Sequence, residues 1–195
     1  MYQGTVRVAQ NEPLFTVAVK TREDVVAEKE ERMLIEARLL HIAVHPRIVR
    51  LLHVVSQTLP CMLCLEYMSN GDLKTYLRAC RPSLAQPKQT LSPSDFVITL
   101  AAVCDALAFL HGLRLLHRDV AARNVLVDSR GLPHGAKLSD LGSAHNLVDR
   151  EYYRKTTASE LPVRWMPPEA LKSGIFTVQG DVWSFGVLAF EVIYK

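Results

Sequence analysis

The spacing of apolar and polar positions changes character along the chain. Residues 5–9 (TVRVA) and 14–19 (LFTVAV) are β-branched and apolar, with the turn-rich QNEP between them, which predicts a hairpin. Over residues 23–44, Val26, Glu30, Met33, Ala37, Leu40 and Val44 recur at helical spacing, and Pro46 lies just beyond the end. Residues 48–55 and 61–67 predict two further strands; SNGD at 69–72 breaks the pattern, and a short helix runs on to about Ala79. Residues 81–91, rich in Pro, Gln and Ser, predict a surface loop. The next helix opens on a capping box, with Ser92 as cap, Pro93 at the first helical position and Asp95 closing the box. Phe96, Leu100, Val103, Leu107 and Leu110 then form one long apolar stripe. Short strands at 124–128 and 136–139 flank the turn SRGLPHG, residues 140–168 lack any period, and residues 181–194 predict an apolar helix. A long aperiodic segment inside a compact domain marks function. Strands with one helix first, then mainly helices, predict an α+β protein of two lobes with a hinge near Glu66 to Gly71.

Composition narrows the class. The chain has 195 residues, 49% hydrophobic and 22% charged, enough for one domain or two small lobes with a real core. A net charge of +3 without a dense basic patch gives no ground for nucleic-acid binding. The four cysteines, Cys61, Cys64, Cys80 and Cys104, form no secreted-type framework, so reduced thiols in a cytosolic setting are expected. CMLC is a single pair in a predicted strand, where positions three apart face opposite sides, and this argues against a metal clip. Asp105 interrupts the longest apolar stretch and Glu191 the last one, so no run of roughly 18 apolar residues is expected to span a membrane. Residues 1–15 show no signal peptide.

The chemistry is concentrated in HRDVAARN, residues 117–124. A loop carboxylate, Asp119, can accept a proton from a hydroxyl, and the amide oxygen of Asn124 can bind a hard cation such as Mg²⁺. Twenty-one residues after Asp119, Asp140 in SDLG follows a strand and precedes a glycine, where a second carboxylate can bridge metal to phosphate oxygens. Two metal-binding positions beside one candidate base suit phosphoryl transfer better than acyl transfer, which wants a Ser or Cys nucleophile beside a His. Lys20, ending the apolar strand VAVK, supplies a cation, and Glu36 on the 23–44 helix can hold it in place. Alone, Lys20 reads as a snorkelling lysine and Glu36 as one of several glutamates on a solvated face; their joint spacing with Asp119, Asn124 and Asp140 overturns that.

These motifs together resemble the catalytic domain of protein tyrosine kinases over nearly the whole chain. VAVK, IEARLLHIAVHPRIVRLL, LEYMSNGDL, HRDVAARNVLV, SDLG, LPVRWMPPEAL and DVWSFGV occur in the family's order. AAR after Asp-Val, LPVRWM before PPE, and the paired Tyr152 and Tyr153 in REYYRKTT resemble the tyrosine-specific branch. YYRKTT and LPVRWM are similar to fibroblast-growth-factor receptors, whereas GDLKTYLR, SDLG and RWMPPEA are similar to the Ror, Trk and muscle-specific kinase group. The resemblance implies a bilobal kinase domain, with residues 1–67 as N-lobe and 68–195 as part of a C-lobe. It implies ATP and Mg²⁺ as cofactors. By the same resemblance, Lys20 binds phosphates, Glu36 holds Lys20, Asp119 is the base, Arg123 supports it, and Asn124 and Asp140 hold Mg²⁺. Ala18 and Leu126 sandwich adenine, Glu66 to Met68 form the hinge, and Leu65 is the gatekeeper. Arg118 would meet a phosphotyrosine from Tyr152 or Tyr153. Leu40, His117 and Leu141 would stack as part of a regulatory spine. Implied partners are tyrosine-bearing protein substrates, a second copy for trans-autophosphorylation and SH2/PTB-type adaptors. The implied location is cytoplasmic, within a single-pass plasma-membrane receptor at full length.

The pattern also departs from the family. The glycine-rich loop is absent, the family's later helices are missing after Lys195, Leu141 stands for the usual phenylalanine, and GLPHG lengthens the turn between Asp119 and Asp140. The first two departures lead us to expect a piece of a longer kinase with weak activity on its own. The competing reading is a pseudokinase-like interaction module; the filled catalytic positions favour the enzyme.

Overall fold

The computed structural model describes residues 2–6, 14–21, 27–57, 59–81, 91–147, 152–154 and 162–194. Four antiparallel strands, β1 (Tyr2–Val6), β2 (Phe15–Lys20), β3 (Leu51–Val55) and β4 (Met62–Glu66), form one sheet in the order β1-β2-β4-β3. The predicted hairpin is β1–β2, with Tyr2 opposite Val19 and Val6 opposite Phe15; its first strand starts three residues earlier than expected, and the QNEP turn lies outside the described residues. β4 runs between β2 and β3, and Leu63, Cys64 and Leu65 are all buried, which accounts for its unbroken apolar run. Cys61 lies one residue ahead of β4, so strand alternation does not apply to it: it is buried like Cys64, and none of the four cysteines is in a disulfide.

Helix α1 (Ala27–Ile42) packs against β3 and against a 3-10 turn at 141–143. Met33, Ala37 and Leu40 are buried as the stripe predicts. Val44 is 63% exposed, because the helix ends at Ile42; Val26 lies outside the described residues. β3 is shorter than expected for a related reason. Residues 47–49 pair instead with a later strand: Leu138 donates its N–H to the Arg47 carbonyl at 2.8 Å, and Val49 donates to the Leu138 carbonyl at 2.8 Å.

Past the hinge, α2 (Leu73–Ala79) is capped by Asp72, which accepts the Thr75 N–H, and α3 (Pro93–Gly112) opens on the predicted capping box. In that box Asp95 Oδ2 accepts the Ser92 N–H at 2.7 Å and Ser92 Oγ accepts the Asp95 N–H at 3.3 Å. Contrary to the sequence expectation, α3 is long and apolar enough to cross a membrane by length and composition. Its face bearing Val103, Ala106, Leu107 and Leu110 is instead part of the main hydrophobic core, packed on later elements. Short strand pairs follow: β5 (Leu115–Leu116), β6 (Val125–Val127), β7 (Ala136–Leu138), β8 (His145–Asn146) and β9 (Tyr153–Arg154). Then come α4 (Pro168–Ser173), β10 (Ile175–Phe176) and α5 (Val178–Tyr194), with pairs β5–β8, β6–β7 and β9–β10. The turn between β6 and β7 holds the extra residues of GLPHG. Gly131 there has φ +67°, and a Cβ on Gly135 would come within 2.7 Å of the Gly131 carbonyl, so the turn requires both glycines. The result is a sheet-and-helix part and a mainly helical part, as the element order predicted, joined at residues 66–72.

Candidate active site

A cavity of about 540 Å³ opens between the two parts. Its upper wall is β2 and β4, its back is α1, and its floor is β6 with the turn after β7; among the lining residues are Ala18, Lys20, Glu36, Leu40, Leu65, Met68, Arg123, Asn124, Leu126 and Asp140. Ala18 and Leu126 come from opposite walls because the segment after the hinge pairs with β6: Asn70 donates to the Val127 carbonyl and Val127 donates to that of Gly71.

Lys20 joins the walls. Its Nζ lies 2.7 and 2.9 Å from the two carboxylate oxygens of Glu36 and 2.8 Å from Asp140 Oδ1. Burial pulls the Lys20 ammonium down, but Asp140 and Glu36 outweigh it and hold its pKa above the ordinary value. Burial pushes the Asp140 carboxyl up, and Lys20 more than offsets this, so Asp140 is held below the usual carboxylate range. Asp140 sits at φ +64° and its Oδ1 also takes the Gly142 N–H at 3.3 Å. That close turn needs Gly142, where a Cβ would come within 3.1 Å of both Asp140 and Glu36 oxygens.

The loop 117–124 supplies the floor. Arg123 donates to Asp119 Oδ1, and Asn124 Nδ2 donates to Asp119 Oδ2 and to the Asp119 carbonyl, each at 2.7 Å. With the amide nitrogen turned to Asp119, the Asn124 oxygen is the group left to face a cation. A hard divalent ion held by one amide oxygen, one carboxylate and substrate phosphates fits this donor set. No cluster of three or more His, Cys, Asp or Glu side chains suited to a metal occurs among the described residues, so a protein-only cage is not what this site offers. His117 is fully buried; its Nδ1 accepts the Asp119 N–H at 3.2 Å and its Nε2 lies 3.0 Å from the Ser139 carbonyl, so the ring acts as a brace. Leu40 and Leu141 are buried in the main core.

Two residues that hold this loop carried no role in the sequence reading. Asp181 on α5, 2% exposed, accepts the N–H groups of His117 and Arg118, both at 2.8 Å, and lies 3.0 Å from His111 Nε2. Glu191, one helical face further on, accepts the Ala122 N–H at 2.9 Å and the Trp165 indole N–H at 3.0 Å. An acid inside an apolar helix was the available signal for each.

Other expected positions lie apart from the cavity. The Glu66 carboxylate points away from it and is held by Lys137 Nζ at 2.7 and 2.8 Å and by the Arg50 N–H at 2.7 Å, leaving only the backbone of Glu66 for a hinge. Tyr153 packs beside Arg118, whose guanidinium carbon is 4.5 Å from the tyrosine ring centre and 4.4 Å from that of Phe176. Burial lowers the Arg118 pKa, with Tyr153 and Asp181 opposing, and its Nε is buried without a hydrogen-bond partner among the described residues. His145 lies against the other side of the cluster, 3.9 Å from the Tyr153 ring, with its pKa lowered by burial and by Arg118. Tyr152 is 41% exposed, in a groove with His111 and Arg114.

Comparison with known proteins agrees with this geometry. The family model for protein tyrosine and serine/threonine kinases matches residues 1–195. The chain is 38% identical to the insulin receptor of Xenopus laevis over 98% of its own length and 14% of that protein's. It is 39% identical to the insulin-like growth factor 1 receptor of Bos taurus, covering 98% of the chain and 30% of the relative. To the insulin receptor-related protein of Mus musculus it is 38% identical, covering 99% and 15%. The sequence reading had named other receptor groups, and the chain spans under a third of the length of these relatives. A full-length family match, the α+β architecture and the residues gathered in the cleft establish that the chain belongs to the protein tyrosine and serine/threonine kinase family.

Proposed function

We propose that this chain, a kinase domain fragment with residues 1–67 as N-lobe and 68–195 as part of a C-lobe, belongs to a protein that transfers the γ-phosphoryl group of ATP to tyrosine hydroxyls of proteins. The observation that carries this reading is the Lys20 ammonium bridging Glu36 and Asp140 at 2.7–2.9 Å across a cavity whose floor holds Asn124 and, behind it, Asp119. Ala18 and Leu126 bound the adenine slot, Leu65 closes its rear, and the backbone of Glu66 to Met68 forms its edge. Lys20, held by Glu36, meets the α- and β-phosphates.

Asp119 orients the tyrosine O–H. As the phenol oxygen bonds to the γ-phosphorus and the bond to the β-bridging oxygen breaks, the phenolic proton passes to Asp119 and ADP departs with the electron pair. Arg123 and the Asn124 amide fix the Asp119 carboxylate, so little reorganisation is needed at that moment. Asn124 and Asp140 would hold Mg²⁺, which supplies charge neutralisation on the phosphate oxygens.

Activation by phosphorylation of Tyr152 or Tyr153 follows from their setting. A phosphate on Tyr153 would bring about −2 charge beside the half-buried Arg118, whose guanidinium can meet phosphate through two N–H groups at once. The receptor relatives support protein substrates and pairing of two copies; on our reading that pairing serves trans-autophosphorylation, SH2/PTB-type adaptors read the phosphotyrosines, and the domain is the cytoplasmic part of a plasma-membrane receptor. The test uses the full-length protein with γ-labelled ATP and matched peptides bearing tyrosine or serine. Label is expected on tyrosine only, and only with Mg²⁺ present; label on serine, or none, would overturn the assignment.

A further inference from the structure

Glu30 is one of two buried acids of α1, the other being Glu36. Its neighbours Glu28 and Glu31 face solvent, whereas Glu30 is 9% exposed. Its Oε2 accepts the Cys61 N–H at 3.0 Å, joining α1 to the residue just ahead of β4. Its Oε1 is buried and has no hydrogen-bond partner among the described residues. A buried carboxylate with so little compensation costs stability, and such groups call for a reason in function or geometry.

The reason lies in what Cys61 touches on its other side. Its carbonyl accepts the Thr21 hydroxyl at 3.3 Å. Thr21 directly follows Lys20 at the end of β2, and Glu30 precedes Glu36 by six residues on α1, about 9 Å along the helix. The two backbone groups of Cys61 are therefore tied to different elements, the carbonyl to Thr21 directly after the strand that carries Lys20 and the N–H to the helix that carries Glu36. Such a hydrogen bond fixes direction, which the apolar contacts of Met33 and Ala37 in the core do not.

Building on the phosphotransfer reading above, we propose that Glu30 is a positioning residue: through the backbone of Cys61 it sets the place of α1 and so the Lys20–Glu36 pair. It touches neither substrate nor phosphate. Misplacement of a reacting group by an ångström can lower a rate by up to about 100-fold, so a loss of about ten-fold in kcat is expected for Glu30→Ala. The peptide KM should stay within about two-fold, since the acceptor site lies in the other lobe. Glu30→Gln keeps an oxygen for the Cys61 N–H and should return kcat to within about two-fold of the wild type.

The experiment is a double-mutant cycle in the full-length protein, read as kcat for a tyrosine peptide. Glu30→Ala is measured alone and together with Glu36→Gln, which breaks the ion pair. If Glu30 acts through that pair, its substitution adds less than about two-fold once Glu36 is altered. An equal loss in both backgrounds would make Glu30 a general scaffold residue and overturn the inference, as would wild-type kcat in Glu30→Ala. Should thermal melting show that Glu30→Ala is unfolded, Thr21→Val takes its place in the cycle, with a smaller loss that must likewise vanish beside Glu36→Gln. A wild-type protein without Mg·ATP-dependent tyrosine phosphorylation would sink the phosphotransfer reading itself, and with it this role for Glu30.

Discussion

Replacing Asp181 by alanine tests whether the floor of the cleft is hung from α5. The carboxylate is 2% exposed and receives two backbone N–H groups at 2.8 Å, those of His117 and Arg118. Removing it leaves both donors buried without a partner, at about 1–3 kcal/mol each, or about 2–6 kcal/mol together. Arg118 adds to this. Its φ of +68° is a left-handed conformation that costs a non-glycine residue about 1–2 kcal/mol, and Asp181 is what secures it. A domain of this size has about 5–15 kcal/mol of stability in total, so the variant gives up a large share. With a denaturant slope of about 2–3 kcal/mol per molar, the urea midpoint should fall by about 0.7–3 M. Fluorescence of Trp165 and Trp183 reports the transition, since Trp183 lies on α5 and Trp165 stacks under Arg123 and donates to Glu191. Asp181→Asn keeps one acceptor oxygen and should lose about half as much. Tyrosine phosphorylation should fall in the same order, because residues 117–124 are the segment released. A midpoint within about 0.2 M of the wild type for Asp181→Ala would refute the argument.

Two further outcomes follow from the site. Asp140 is held below its ordinary pKa of 3.8, its burial being outweighed by Lys20, so its contribution is present above that value and lost as pH falls through the lower folded-state value. Thermal melting followed from pH 6 to 2 should therefore show a shallower acid limb in Asp140→Asn than in the wild type; parallel limbs would contradict the pairing. Tyr153→Phe keeps the ring against Arg118 but offers no site for phosphate, so preincubation with Mg·ATP should no longer raise the rate on an exogenous peptide, whereas the wild type gains. An undiminished gain would move the activating site elsewhere.

The sequence made some of this structure plain for reasons that are local. Ser92, Pro93 and Asp95 carry their capping chemistry within four residues, and α3 begins where they say. Lys20, Glu36, Asp119, Asn124 and Asp140 were found by motif spacing, and the first two meet Asp140 at the cleft. What stayed hidden depends on pairing at long range. Glu191 read only as a break in an apolar run and Asp181 only as the first residue of the last helix, because the backbone N–H groups they accept lie more than 60 residues earlier. Glu30 matched the apolar period of α1 but, as a glutamate, gave no sign that a backbone N–H at Cys61 awaited it. The Glu66 carboxylate could not be placed from its motif either, since Lys137 approaches from a different lobe. Apolar periodicity specifies which face is buried and says little about which polar group meets it there.

The central claim is that Asp119 takes the phenolic proton in a cleft that binds nucleotide independently of it. Asp119→Asn in the full-length protein isolates that step, because the amide keeps the size of the carboxylate without its basicity. Nucleotide affinity, measured by equilibrium titration with Mg·ATP, should stay within about three-fold of the wild type while single-turnover phosphate transfer to a tyrosine peptide falls by at least about 100-fold. Transfer at the wild-type rate in that variant would contradict the account.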